Sequence, residues 1–169
     1  MSAARLDAMD EAEARAALTR CCGATRWVEG MLARRPFGSD PALHRAADEV
    51  WATMGRDDVL EAFSHHPRIG ADLDALREKF AGKGDLGWSR REQEGIHEAD
   101  EATLEALRDG NLAYEERFGF LFIVCATGKT AAEMLALLRQ RLHNTPEDEL
   151  RIAAAEQAKI MHLRLEKLA

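Results

Sequence analysis

Cysteine is scarce in this chain of 169 residues, which carries three: the adjacent pair Cys21 and Cys22, and Cys125. An odd count with no Cys-x-x-Cys pair excludes reading a disulfide framework or a zinc ribbon from the sequence. Positive charge is also short: the net charge is -7 and the pI is near 5.4. That balance argues against a broad phosphate-neutralising surface, so no nucleic-acid partner is expected. No apolar run approaches the roughly 18 residues of a spanning helix, and acidic residues interrupt the N-terminal stretch where a secretory leader would place its apolar core. The expectation is a cytoplasmic protein with no membrane partner.

Two chemical signals fail on inspection. Gly128-Lys129-Thr130 ends like a phosphate-binding loop, but that motif needs a glycine five residues before Gly128, and Ile123 stands there. The six histidines include no pair with the zinc spacing of a His-Glu-x-x-His helix, so no metal is expected. Strand signals are thin as well. Only Phe118 to Cys125 is rich in aromatic and β-branched residues, and no second segment offers it a partner, so it reads as buried helix or extended core.

What is present is helical punctuation. Hydrophobic residues make up 46% and charged residues 31%, a globular composition, and a chain this long can bury roughly 70% of its unfolded surface in one domain. Asp10 with Glu13 predicts a helix start, and Ala14, Ala17, Leu18 and Cys21 continue at helical spacing up to Gly23. Trp27, Val28, Met31 and Leu32 mark a second helix. Ser39-Asp40-Pro41 caps a third, with an apolar face of Leu43, Ala47, Val50, Trp51 and Met54. Val59, Leu60 and Phe63 end a helix before His66-Pro67, because a residue preceding proline disfavours the α region. Asp72 to Phe80 predicts another, followed by a stretch over 81–87 that is flexible by composition. Ser89 and Glu92 form a capping box for a long helix to Asp109, with Gly110 as its end and a new helix from Asn111. Thr130 with Glu133 caps the next, and Thr145-Pro146-Glu147 starts a last helix with a stripe of Ala154, Ala158, Met161, Leu165 and Leu168. The expected architecture is all-α: a single domain over 1–169, built as one irregular bundle of about eight helices.

Three segments carry candidate chemistry. Phe63-Ser-His-His-Pro-Arg-Ile-Gly70 sets an imidazole at a helix-to-loop junction, where Pro67 fixes its φ and Gly70 allows a tight turn. His66 there is either a proton carrier, suited by an ordinary pKa of about 6.5, or a histidine satisfying local hydrogen bonds. Ser89-Arg90-Arg91-Glu92-Gln93 is a helix start, and such a start can also hold a carboxylate or ureido oxygen. Arg164 borders an apolar sector between Ile160 and Leu168, from which its guanidinium reaches water or turns into a pocket to hold an anion.

Taken in order, six pieces resemble the family of 2-oxo-4-hydroxy-4-carboxy-5-ureidoimidazoline (OHCU) decarboxylases. They are His66-Pro67 with Ile69-Gly70, Ser89-x-x-Glu92-Gln93, Asn111-x-x-Tyr114, Phe118-Gly119-Phe120-x-Phe122-Ile123, Arg141-x-x-Asn144-Thr145 and Lys159-Ile160-x-x-Leu163-Arg164-Leu165. The resemblance covers most of the chain, and its specificity lies in the combination. It implies an all-helical homodimer of urate breakdown that converts an anionic ureide to (S)-allantoin and carbon dioxide. By motif, His66 is the acid/base and Glu92 its companion, while Ser89, Gln93 and Arg164 hold substrate. Pro67 and the stretch Phe120, Leu121, Phe122, Ile123 and Val124 line the pocket. Arg90 and Arg91, like Arg68, either attract the anion or face solvent.

No cofactor is expected either. The carbon that loses carbon dioxide also bears a hydroxyl, and the electron pair left behind can move into the adjacent ring C=N unit without an external sink. The alternative reading is a non-catalytic helical module that binds a ureide or a protein through the Phe118 to Phe122 run.

Overall fold

The computed structural model describes residues 1–80 and 90–169, and the side chains of these except Ile69 and residues 90–100. Nine α-helices lie among the described residues, joined by loops and by a 3-10 turn at Ile69–Ala71, with no strand. They are α1 (Ser2–Ala8), α2 (Glu11–Cys21), α3 (Thr25–Ala33), α4 (Asp40–Ala52), α5 (Arg56–Ser64), α6 (Leu73–Phe80), α7 (Arg90–Phe118), α8 (Ala131–Arg141) and α9 (Pro146–Glu166). The all-α expectation holds. None of these helices is long and apolar enough to cross a membrane.

Local sequence explains most of the boundaries. Asp10 accepts a hydrogen bond from the Glu13 amide at 2.8 Å, Ser39 from Ala42 at 3.3 Å and Thr130 from Glu133 at 3.2 Å. Each such cap stabilises its helix by about 1 kcal/mol. Thr145 caps α9 through the Asp148 amide at 3.2 Å, with Pro146 in the first turn. The expected cap at Ser89 and Glu92, and the glycine-rich stretch over 81–87, lie outside the described residues.

Two expectations change. Helix α1 was not signalled, because seven residues with one large apolar side chain show no periodicity. Tertiary contacts hold it: Leu6 is fully buried, the Ala3 amide donates to Asp40, and the Asp7 carboxylate accepts from the amides of Phe37 and Gly38. Gly110 does not end a helix either, since α7 runs on to Phe118. A Cβ at Gly110 would lie 2.6 Å from Leu138 Cδ2, so this glycine lets α8 approach α7 closely. The helix instead ends at Gly119, whose φ of +80° is the left-handed conformation that turns the chain out of α7. Residues 121–126 then form neither helix nor strand, so that aromatic segment is not the buried helix that was one of its two expected forms.

The backbone forms two compact units: Met1–His66, Ile123–Cys125 and Arg151–Ala169 in the first, Pro67–Phe122 and Ala126–Leu150 in the second. The core of the first gathers Leu6, Leu18, Trp27, Met31, Leu43, Met161 and Leu165, all fully buried. Trp27 satisfies its indole NH on the Ala47 carbonyl at 3.2 Å, which makes burial of so large a ring favourable. The second unit pairs α7 with α8 and places α6 and the 3-10 turn on α7.

Candidate active site

In the first unit, α5 ends at Ser64 and His65 closes it with its amide on Ala62 and Phe63. His66 follows, its amide bonded to the Phe63 carbonyl at 3.1 Å, so its backbone is fixed before the chain reaches Pro67. The side chain is half-buried, and its Nε2 lies 2.6 Å from Oε1 of Gln157. Burial holds the His66 pKa below its ordinary 6.5; the Gln157 hydrogen bond opposes that, and the nearby Arg164 guanidinium adds to it. The ring is therefore kept neutral and basic near neutral pH, the state a proton acceptor needs.

Arg164 is half-buried on α9 and pairs with no carboxylate among the described residues. Its charge is felt at His66 and at the buried thiols of Cys21 and Cys22, lowering the pKa of each. A cation left without an acidic partner beside a neutral imidazole suits an anion. Those two thiols are pushed up by burial to about 11 and about 12, which leaves them protonated and poor nucleophiles.

Ile123 and Val124 belong to this same unit, Ile123 buried and Val124 partly so. The segment is tied to α9 where the Cys125 amide donates to Oε1 of Glu156 at 3.2 Å.

The second unit contains Pro67, Phe120, Leu121 and Phe122. Pro67 is exposed, Phe120 buried, and Leu121 and Phe122 partly buried. The aromatic segment rests on Tyr114, whose ring meets those of Phe118, Phe120 and Phe122 at centroid distances of 4.6, 5.8 and 5.3 Å. The Arg141 guanidinium lies 4.5 Å from the Phe122 centroid. Beneath this is Glu149, fully buried, which accepts from Tyr114 at 2.5 Å, from Arg141 Nε at 2.6 Å and from Asn144 at 3.0 Å. Burial and the bond to Glu149 raise the Tyr114 pKa, so its hydroxyl stays a donor.

Several motif residues thus take structural positions. Tyr114, Arg141 and Asn144 converge on Glu149, while Thr145 caps α9. Gly70 has no positive φ; a Cβ there would lie 2.5 Å from the Asn111 side chain, so close approach rather than a tight turn requires glycine. Arg68 is held by Glu115 in two bonds of 3.0 and 2.9 Å and remains mostly exposed. The side chains of Arg90, Arg91, Glu92 and Gln93, and Ser89 altogether, lie outside the described residues.

Two residues escaped the sequence reading. Glu149 looked like an ordinary acidic residue in a helix's first turn, and nothing local marked it as a hub. Gln157 did carry a signal: it occupies the centre of the fully buried stripe Ala153, Gln157, Met161 and Leu165, where an apolar residue is the rule. The stripe expected at Ala154 and Ala158 is centred one residue earlier, which is why the amide was passed over.

A sequence model of the OHCU decarboxylase family matches residues 7–166. The chain is 39% identical to the uric acid degradation bifunctional protein of Arabidopsis thaliana over 150 residues, covering 88% of this chain and 45% of that protein. It is 30% identical to the 2-oxo-4-hydroxy-4-carboxy-5-ureidoimidazoline decarboxylase of Xenopus laevis over 135 residues, covering 78% of this chain and 73% of that one. A crystal structure of OHCU decarboxylase in the presence of (S)-allantoin superposes with a TM-score of 0.70 at 34% identity, covering 89% of this chain and 94% of that one. The chain spans less than half the length of the bifunctional relatives it matches.

Proposed function

The chain belongs to the OHCU decarboxylase family, and we propose that it converts 2-oxo-4-hydroxy-4-carboxy-5-ureidoimidazoline to (S)-allantoin and carbon dioxide in urate degradation. The observation that carries this is the family match over 7–166 joined to a half-buried imidazole held neutral beside an arginine with no acidic partner among the described residues. The single match spanning both units supports treating them as one catalytic domain. A relative crystallised with (S)-allantoin supports a small ureide as ligand.

Each role follows from the chemistry of the step. The C–C bond to the carboxylate breaks, carbon dioxide leaves, and the electron pair passes into the adjacent C=N unit. The protein must hold the carboxylate out of the ring plane, accept the hydroxyl proton and return one proton to a single face of the product. His66 takes the hydroxyl proton. Arg164 holds a substrate anion, Ser89 and Gln93 are assigned to binding by motif, and Arg90 and Arg91, outside the motif, add positive charge that attracts the anion. Glu92 orients the ureido group with Gln93. Pro67 and Phe120 to Val124 shape the walls. The acting species is a homodimer, a reading that rests on the family resemblance, and it works in the cytoplasm.

The experiment generates the substrate in place from urate with urate oxidase and hydroxyisourate hydrolase, then follows allantoin chirality by circular dichroism. Faster appearance of one enantiomer is expected. A slow racemic course identical to the protein-free control overturns the reading, and saturable ureide binding without turnover marks a binding module. Sedimentation velocity reads the oligomeric state.

A further inference from the structure

We propose that Gln157 is a positioning residue for His66, holding the imidazole in the tautomer protonated at Nε2 and leaving the Nδ1 lone pair as the atom that takes the proton. The inference rests on His66 being the proton carrier.

Geometry carries it. Gln157 is fully buried, and its only hydrogen bond among the described residues joins Oε1 to His66 Nε2 at 2.6 Å. An amide oxygen only accepts, so the hydrogen between them belongs to the ring. A neutral imidazole carries one N–H, and with Nε2 protonated Nδ1 is bare. Burial and the charge of Arg164 favour that neutral form.

A packing role does not account for the residue. Nε2 of Gln157 is buried without a partner among the described residues, and its helical neighbours Ala153, Met161 and Leu165 are apolar. A leucine or methionine would fill the same stripe with no unsatisfied amide.

The choice of amide over carboxylate is also informative. A carboxylate at this position would stabilise the imidazolium and raise the ring's pKa, spoiling a base before it acts. The amide orients the ring without charging it. When the hydroxyl proton arrives at Nδ1 the ring becomes a cation, Nε2 keeps its own hydrogen, and Oε1 still accepts it. The same bond therefore serves the ring before and after proton transfer, with no rearrangement between the two states.

The test uses the full chain labelled with nitrogen-15 at histidine, with His66→Asn to assign the resonance. Long-range proton–nitrogen correlation above the ring's titration should show a protonated Nε2 and an unprotonated Nδ1. Gln157→Leu should give mixed tautomers, lower kcat by roughly 10- to 100-fold with KM nearly constant, and move the acid limb of kcat/KM to lower pH, as loss of an orienting partner does elsewhere. Gln157→Glu should keep the tautomer and move that limb to higher pH. An Nδ1-protonated ring in the unaltered protein overturns the inference, as does a leucine variant with unchanged tautomer and pH profile. Should the leucine variant not fold, an unmoved limb in the glutamate variant overturns it. If the unaltered protein shows no turnover but the Nε2 tautomer is present and lost in Gln157→Leu, the positioning contact stands and the decarboxylase reading fails.

Discussion

Glu149 and Gln157 are both fully buried on α9, yet their surroundings are built on opposite lines. Glu149 is met by three side chains, Tyr114, Arg141 and Asn144, which together satisfy both carboxylate oxygens. Gln157 has one partner and an amide with none among the described residues, and the histidine it touches is kept below its ordinary pKa. A closed network, with both carboxylate oxygens satisfied, fixes one arrangement of its own unit. An open one keeps donors, a lone pair and a cation available. The family motifs contain both kinds of residue, so membership of a motif does not separate support from chemistry.

The comparison breaks first at Glu149. Glu149→Ala leaves Arg141 buried without its counter-charge and removes the acceptor for Tyr114, and we expect a loss of about 3–5 kcal/mol in urea denaturation. That is a large share of the roughly 5–15 kcal/mol available to a domain. Replacing Arg141 and Glu149 together by methionine and leucine should recover much of the loss, since no uncompensated charge then remains. A single variant within about 1 kcal/mol of the unaltered protein would show that the hub is not what holds its unit.

His66→Asn should show the converse pattern. Its expected cost is a fall of about 100- to 10,000-fold in turnover, the usual worth of a positioned acid or base, measured in the allantoin chirality assay. Stability should fall by about 1–3 kcal/mol, less than for Glu149→Ala, because the side chain is only half-buried but its loss takes from buried Gln157 its one side-chain partner among the described residues. Near-wild-type turnover would remove His66 from the chemistry.

How much of this was legible in the sequence divides along the same line. The caps at Asp10, Ser39, Thr130 and Thr145 could be read because a cap is a short-range hydrogen bond between neighbours in sequence. Gly110 and Gly70 misled, since sequence shows that a glycine is present but not whether it ends a helix or admits a side chain such as Leu138 or Asn111. Helix α1 and the Glu149 hub depend on contacts distant in the chain, which periodicity cannot report. His66 and Arg164 stood out as candidates from their local setting and were given roles by the resemblance, whereas Gln157 was visible as a polar break in an apolar stripe once the register of α9 was known.

Arg164→Gln sharpens the open side of the comparison at smaller cost. The guanidinium has no acidic partner among the described residues to leave behind, so folding should be nearly unaffected. Loss of a charge-assisted contact to a substrate anion is worth about 1.5–3 kcal/mol, which should appear as a rise in KM of roughly 10- to 100-fold with a smaller change in kcat. A change confined to thermal stability would assign Arg164 to packing.

The smallest effect is the dependence of stability on pH. His66 titrates below its ordinary 6.5 in the folded chain, chiefly because of burial. Above 6.5 the ring is neutral in both folded and unfolded states and contributes no slope. As pH falls below that value the unfolded chain takes up a proton that the folded chain resists, so stability declines, and the decline ends once pH passes the folded-state pKa. Carboxylates titrate over part of the same range, so the quantity to measure is the difference between unaltered protein and His66→Asn, from urea midpoints at a series of pH values. The unaltered protein should lose stability more steeply than the variant only below 6.5, and Gln157→Leu more steeply still, because the bond it removes is the one that raises the ring's pKa. Parallel curves for all three would mean that the ring titrates normally, and the contrast between the closed hub and the open site would then rest on hydrogen bonding alone.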